Sequence, residues 1–314
     1  MNSTNYMMSP LCGIVPPLVT PLTDDDTLDH ESLEHLIEHL IAGGVHGLFI
    51  LGTTGEAQSL SYRLRHEMIQ ATCHINQGRL PVLVCITDTS IVESIALARV
   101  SAECGAAAVV SAPPYYAATG QPELAEFYEE LVPQLPLPLF LYNMPSHVKV
   151  SFAPATVARL AENPRVIGFK DSSANGTYFQ SVMWKMRNRH HFAMLCGPEE
   201  MTAQCLLMGA HGGVNGGANL FPNLYVAMYN AAKAGDLDRV RQLQKLIMQI
   251  SDTIYTVGQH NSSYLKGLKC ALAVQGIIRT DFVASPFYRF NAPERRKIEE
   301  ALDALPIVNG KLIF

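Results

Sequence analysis

A lysine at the end of an apolar run is the residue whose placement in this 314-residue chain first implies chemistry. Val166-Ile167-Gly168-Phe169-Lys170 reads as a buried strand ending in an amine, with the polar residues Asp171, Ser172 and Ser173 following at once. An amine kept from water loses its proton more readily, and the neutral form can attack a ketone carbonyl to give a Schiff base. Taken alone, Lys170 also fits a side chain that snorkels to solvent from a strand end. Other apolar runs end in groups of complementary type. Gly52-Thr53-Thr54-Gly55-Glu56 puts two hydroxyls and several turn amides where an anion finds donors, although an ordinary glycine-rich turn has the same composition. Pro113-Pro114-Tyr115-Tyr116 sets paired phenols in a polar loop, a pattern that also suits interface packing. Tyr142-Asn143-Met144-Pro145 places a phenol at a strand end, for acid–base work or simply to reach water from the core. Gly197-Pro198-Glu199-Glu200 opens a helix with two carboxylates, which helix N-termini favour in any case. Gly212-Gly213-Val214-Asn215-Gly216-Gly217 leaves backbone bare enough for a ligand to approach.

Such groups need a scaffold that gathers strand ends. Short apolar strands are predicted at 13–22, 44–52, 81–86, 106–111, 137–142, 166–170, 192–196 and 212–214. Amphipathic helices are predicted between and after them, at 32–42, 63–75, 91–103, 122–132, 154–161, 177–188, 200–208 and 224–234. This alternation predicts an α/β fold, a (β/α)8 TIM barrel over residues 13–234, whose chemistry sits at the C-terminal strand ends. No strand carries a GxGxxG turn, which weighs against a doubly wound dinucleotide-binding sheet. Residues 1–12 read as an N-terminal tail. Residues 235–314 read as a C-terminal helical extension, with helices at 237–255, 263–275 and 293–305.

Bulk properties narrow the class. Hydrophobic residues make up 48% of the chain and charged residues 16%, enough for a large core. The net charge of −5 and the lack of a Lys/Arg run argue against nucleic acid as a partner. Apolar runs are strand-length, so no membrane span is expected, and the polar start lacks an export signal. Seven cysteines without a CxxC pair fit free thiols in a reducing cytoplasm. Eleven histidines form no metal-ligand pattern, so no metal is expected.

Taken in order, the GTTGE turn, the paired tyrosines, YNMP and GFKDSS resemble the Schiff-base aldolase superfamily of dihydrodipicolinate synthase and N-acetylneuraminate lyase. The resemblance extends from about Gly13 to Ala304. It implies a homotetramer, a dimer of dimers, that acts on pyruvate or another 2-oxo acid without a cofactor. It makes Lys170 the Schiff-base lysine, Tyr142 the proton-shuttling phenol, and Thr53 and Thr54 the hydroxyl turn for the substrate carboxylate. Tyr116, with Tyr115 beside it, corresponds to the tyrosine inserted into a neighbouring subunit's site. Ser172, Gly197, Glu199, Glu200, Val214 and Gly216 fall at substrate-binding positions.

The chain also departs from these relatives. Where the synthase branch has an arginine that grips the aldehyde substrate's carboxylate, His147 follows Pro145 and Ser146. Histidine is a poor substitute for a bidentate clamp. Tyr62, Arg65 and Thr89 stand where the synthase's lysine feedback ligands would be. Glu199 and Glu200 match the acidic residues with which the lyase branch holds sugar hydroxyls, and Ser172 can add a hydroxyl, but Gly216 replaces that branch's serine. The resulting expectation is aldol cleavage of a 2-keto-3-deoxy sugar acid or sialic-acid-like substrate. Dihydrodipicolinate synthase, a 2-keto-3-deoxy acid dehydratase and a non-catalytic sugar-acid-binding barrel are the alternatives.

Overall fold

The computed structural model describes residues 9–308 and 311–314, so most of the expected N-terminal tail lies outside the described residues. Eight strands form one sheet: β1 (Gly13–Ile14), β2 (Leu48–Ile50), β3 (Val82–Cys85), β4 (Ala108–Ser111), β5 (Leu139–Asn143), β6 (Val166–Asp171), β7 (Ala193–Cys196) and β8 (Gly212–Gly213). Neighbours from β2 to β8 are sequential and parallel, and β8 pairs with β1. The sheet is strongly curled. Beyond β1, Pro17 bridges Phe49, the Leu18 N–H donates to Phe49 O at 2.8 Å, and the Phe49 N–H donates to Pro16 O at 3.0 Å.

The connecting helices are α1 (His30–Ala42), α2 (Tyr62–Asn76), α3 (Ile91–Glu103), α4 (Gln121–Leu131), α5 (Pro154–Leu160), α6 (Gly176–Met186), α7 (Glu199–Leu207) and α8 (Pro222–Ala234). Their starts follow local chemistry: Asp29, Ser61, Ser90 and Asn175 accept an N–H of the first turn, and α4, α5 and α8 carry proline there instead. Burial follows the helical period, as at Leu33, Leu36, Ile37 and Leu40 of α1.

Three further helices complete the C-terminal region: α9 (Leu237–Ile254), α10 (Ser263–Val274) and α11 (Ala292–Asp303). The apolar stripe of α9, Val240, Leu243, Ile247, Ile250 and Ile254, is buried, and this helix packs on α7 and α8. From α10, Lys269 enters the interior and pairs with Glu56 at 2.5 Å, both side chains being excluded from water. Glu56 also accepts the Ala284 N–H at 3.0 Å.

The structure corrects several expected elements. The strand expected at 13–22 is regular only at Gly13–Ile14, because Pro16 and Pro17 have no N–H to donate to a ladder. Leu22–Asp24 turns away into a hairpin with Thr27–Leu28. Strand β6 runs one residue past Lys170, so the amine is the penultimate side chain. A single helical turn, Pro145–Val148, and a second hairpin, Ile307–Val308 with Lys311–Leu312, carry too little periodicity to be read in advance.

Removing one partner of a buried pair leaves an uncompensated charge. Lys269→Ala is therefore expected to cost about 3–5 kcal/mol in denaturant unfolding, and Glu56→Leu combined with Lys269→Met to recover most of that loss.

Candidate active site

Tyr142 and Lys170 are register partners on adjacent strands β5 and β6, so their side chains leave the sheet together. Lys170 is only 6% exposed. Its Nζ lies 4.0 Å from the Tyr142 ring centroid and 4.6 Å from that of Phe49. Burial pulls the amine down to about 7, against the opposing influence of Cys85 and Asp171. Asp171 is occupied elsewhere. Its carboxylate accepts Asn143 Nδ2 at 2.8 Å, the Ser173 N–H at 3.0 Å and the Ser173 hydroxyl at 2.8 Å. Asn143 in turn accepts the Phe152 N–H at 3.1 Å, tying these strand ends to the next loop.

The Tyr142 hydroxyl lies 3.2 Å from Thr53 Oγ1. Burial pushes the phenol up to about 12, moderated by the hydroxyls of Thr53 and Ser172. The turn carrying Thr53 and Thr54 is closed by Gly55 N–H to Gly52 O at 3.0 Å and Glu56 N–H to Thr53 O at 3.1 Å. Glu56 holds a left-handed φ of 58° and is anchored by its pair with Lys269, so the hydroxyl turn is fixed from below.

Two glycines make room for hydroxyls. A Cβ at Gly197 would lie 2.1 Å from Ser172 Oγ, so only glycine admits that side chain. A Cβ at Gly216 would lie 1.6 Å from the Tyr264 hydroxyl. That phenol comes from α10 and meets Thr54 Oγ1 at 3.1 Å. Sequence reasoning missed Tyr264, because a residue on a helix of the C-terminal region is not at a strand end. The one cue was Gly216-Gly217, whose bare backbone was expected to admit a ligand and instead admits Tyr264 at Gly216 and the hydroxyls of Tyr225 and Tyr255 at Gly217. Val214 is buried, and its N–H donates to Cys196 O at 2.8 Å.

Other expected site residues are not brought to this cluster. The Glu200 carboxylate accepts the Ser251 hydroxyl of α9, so it faces that helix and not the strand ends. Glu199 is 4% exposed and turned inward, where its carboxyl accepts the Gly217 N–H at 2.9 Å and faces Tyr225 and Tyr255. Tyr116 is 86% exposed and Tyr115 half-buried in their loop. His147 is exposed on the Pro145–Val148 turn, its ring 3.1 Å from the Ser146 hydroxyl. Tyr62 and Arg65 converge on Asp88, at 2.9 and 3.1 Å, and thereby bond to each other's partner. All seven cysteines are free thiols. Among the described residues no helix is long and apolar enough to cross a membrane.

A desolvated amine beside a phenol, with a hydroxyl turn at the same sheet edge, is the equipment of a pyruvate-dependent Schiff-base lyase. Residues 10–305 match the Dihydrodipicolinate synthetase family, and the chain belongs to it. It is 28% identical to the probable 2-dehydro-3-deoxy-D-pentonate aldolase YjhH of Escherichia coli, over 96% of this chain and 99% of that one. The solved structure of dihydrodipicolinate synthase from Bacteroides thetaiotaomicron is 70% identical, with a TM-score of 0.93, over 95% of this chain and 100% of that one. YagE of Escherichia coli, solved in complex with pyruvate, is 28% identical with a TM-score of 0.88, over 93% and 97%.

Burial of Lys170 opposes stability, and the sign of the effect is fixed. Between about 7 and 10.5 the unfolded chain holds a proton that the folded amine has lost. Lys170→Met should therefore melt at a higher temperature than the unsubstituted protein near neutral pH. The gap should close as pH rises through that window, as followed by thermal melts at stepped pH.

Proposed function

We propose that this enzyme cleaves a 2-keto-3-deoxy sugar acid to pyruvate and an aldehyde, in a closed (β/α)8 barrel. The observation that carries the choice of substrate is His147, exposed on the turn after β5 at the position of the synthase branch's carboxylate-gripping arginine. An aldehyde partner without a carboxylate needs no such grip. The full-length likeness to YjhH, described as a probable 2-dehydro-3-deoxy-D-pentonate aldolase, supports the same reading.

In this mechanism Lys170 attacks C2 of the substrate and water leaves, giving an iminium. The C4 hydroxyl proton passes to the Tyr142 oxygen as the phenol hands its own on through Thr53 Oγ1, 3.2 Å away, for the later protonation of C3; the C3–C4 bond breaks, and the bonding pair flows into the iminium to form an enamine. The aldehyde departs. C3 is reprotonated, and water hydrolyses the iminium to release pyruvate and the free amine. The Thr53 and Thr54 hydroxyls hold the substrate carboxylate, and Gly197 and Val214 border the same space with their backbone. Tyr116 would complete the site from a second copy in a cytoplasmic homotetramer. With Glu199 and Glu200 engaged inside the chain, a short sugar acid suits this site better than a sialic-acid-like one.

A second reading, dihydrodipicolinate synthase, is favoured by the 70% identity to the Bacteroides thetaiotaomicron structure described by that name. Borohydride reduction separates the two. After exposure to 2-dehydro-3-deoxy-D-pentonate or the corresponding gluconate, a pyruvate-sized adduct on Lys170 supports cleavage. An adduct from pyruvate alone, with turnover of aspartate semialdehyde, supports synthesis. Absence of any adduct refutes both. Tyr142→Phe should lower turnover about 10²–10⁴-fold with little change in pyruvate trapping, and comparable losses in both would contradict its shuttle role.

A further inference from the structure

Three buried oxygens lie close together behind the site without well-aligned hydrogen-bond partners: Glu199 Oε1 and the hydroxyls of Tyr225 and Tyr255. They belong to three different helical segments. Glu199 opens α7, Tyr225 lies in α8 and Tyr255 follows α9. All converge on Gly217. Its N–H donates to Glu199 Oε2 at 2.9 Å, and a Cβ there would lie 2.0 Å from the Tyr225 hydroxyl and 2.7 Å from that of Tyr255. The Tyr255 ring then packs edge-on against Tyr264, with centroids 4.9 Å apart, and Tyr264 reaches Thr54.

We propose that Glu199 is a positioning residue: it joins Tyr225 and Tyr255 behind Gly217, and through Tyr255 it seats the Tyr264 phenol on the Thr54 hydroxyl of the carboxylate-binding turn.

The groups that face Glu199 are Tyr225 from α8, Tyr255 after α9, Tyr264 from α10, the Gly217 N–H and the like-charged Glu200 of its own helix. None of these supplies a positive charge. A carboxylate sealed among them is penalised, and burial raises Glu199 to about 7. The Tyr225 and Tyr255 hydroxyls face this carboxyl as donors and favour its ionised form, so the carboxylate is the form that holds the phenols together. Protonation removes acceptor capacity and loosens Tyr255 and with it the Tyr264–Thr54 contact. This role excludes a direct grip on substrate hydroxyls. It rests on the reading of Lys170 and Tyr142 given above.

The test uses pyruvate alone. Exchange of its methyl protons with D2O, followed by NMR, requires the Lys170 iminium and its enamine but no aldehyde. In the unsubstituted protein the exchange rate should rise with pH as Lys170 loses its proton, and rise more steeply where Glu199 ionises with it. Glu199→Gln, which keeps a neutral side chain of the same shape, should leave only the Lys170 limb and keep the low-pH rate within about threefold. Glu199→Ala should lower exchange on the order of tenfold to a hundredfold across the range, as expected for a misplaced reacting geometry. Tyr255→Phe, which keeps the ring but not the hydroxyl, should also leave only the Lys170 limb. A Glu199→Gln profile as steep as the original overturns the proposal, as does Glu199→Ala exchange at the unsubstituted rate. Borohydride trapping of pyruvate on the unsubstituted protein tells the two failures apart. No adduct there means that the reading of Lys170 is wrong, whereas an adduct with unchanged profiles means that Glu199 alone was misassigned.

Discussion

Keeping one amine dry is the constraint around which the rest of this protein is arranged. Lys170 has aromatic faces at 4.0 and 4.6 Å and only 6% exposure, and the adjacent carboxylate, Asp171, is bound to Asn143 and Ser173. Had that carboxylate been turned onto the amine, Coulomb attraction would have restored a high pKa and kept the amine protonated. A parallel sheet supplies this environment readily. Each strand is covered on both faces, and the loops at its C-terminal edge are free to bring in hydroxyls without opening the core.

The C-terminal helices are part of this arrangement. Lys269 of α10 neutralises Glu56 beneath the hydroxyl turn, and five positions earlier Tyr264 meets Thr54 within that turn. One helix thus fixes the hydroxyl turn at two points. A buried ion pair is a weak source of net stability, but it penalises misplacement severely, because either charge alone is costly. Its value here is registration of α10 on the sheet edge.

Much of this was legible in the sequence for physical reasons. Strands β2 to β7 announce themselves as apolar runs broken by glycine, proline or polar residues, and the helices by their 3.6-residue period and caps. Lys170, Tyr142, Thr53 and Thr54 stand at the ends of such runs, so periodicity alone brings them to one edge. What failed to show depends on long-range contacts. Tyr264 lies 210 residues from its partner Thr54. The inward turn of Glu199 is set by phenols from α8 and from the end of α9, and the outward turn of Glu200 by Ser251 of α9. Two adjacent carboxylates at a helix start look alike in sequence; packing of the C-terminal region sends them to opposite destinations.

This division has a chemical logic. The half of the reaction that makes and breaks the Schiff base demands the same geometry whatever the aldehyde, and its groups sit on strands or on a turn clamped by Glu56 and Lys269. On the reading proposed above, recognition of the aldehyde falls to the Pro145–Val148 turn and the loop of Tyr115 and Tyr116, where Ser146, His147 and Tyr116 are exposed and Tyr115 is half-buried, so little packing would resist their replacement. His147 can therefore be replaced with small cost to the core, whereas a change at Gly216 displaces Tyr264, and one at Gly197 displaces Ser172. A scaffold so divided fits the chain's likeness both to proteins described as sugar-acid aldolases and to a protein described as a dihydrodipicolinate synthase.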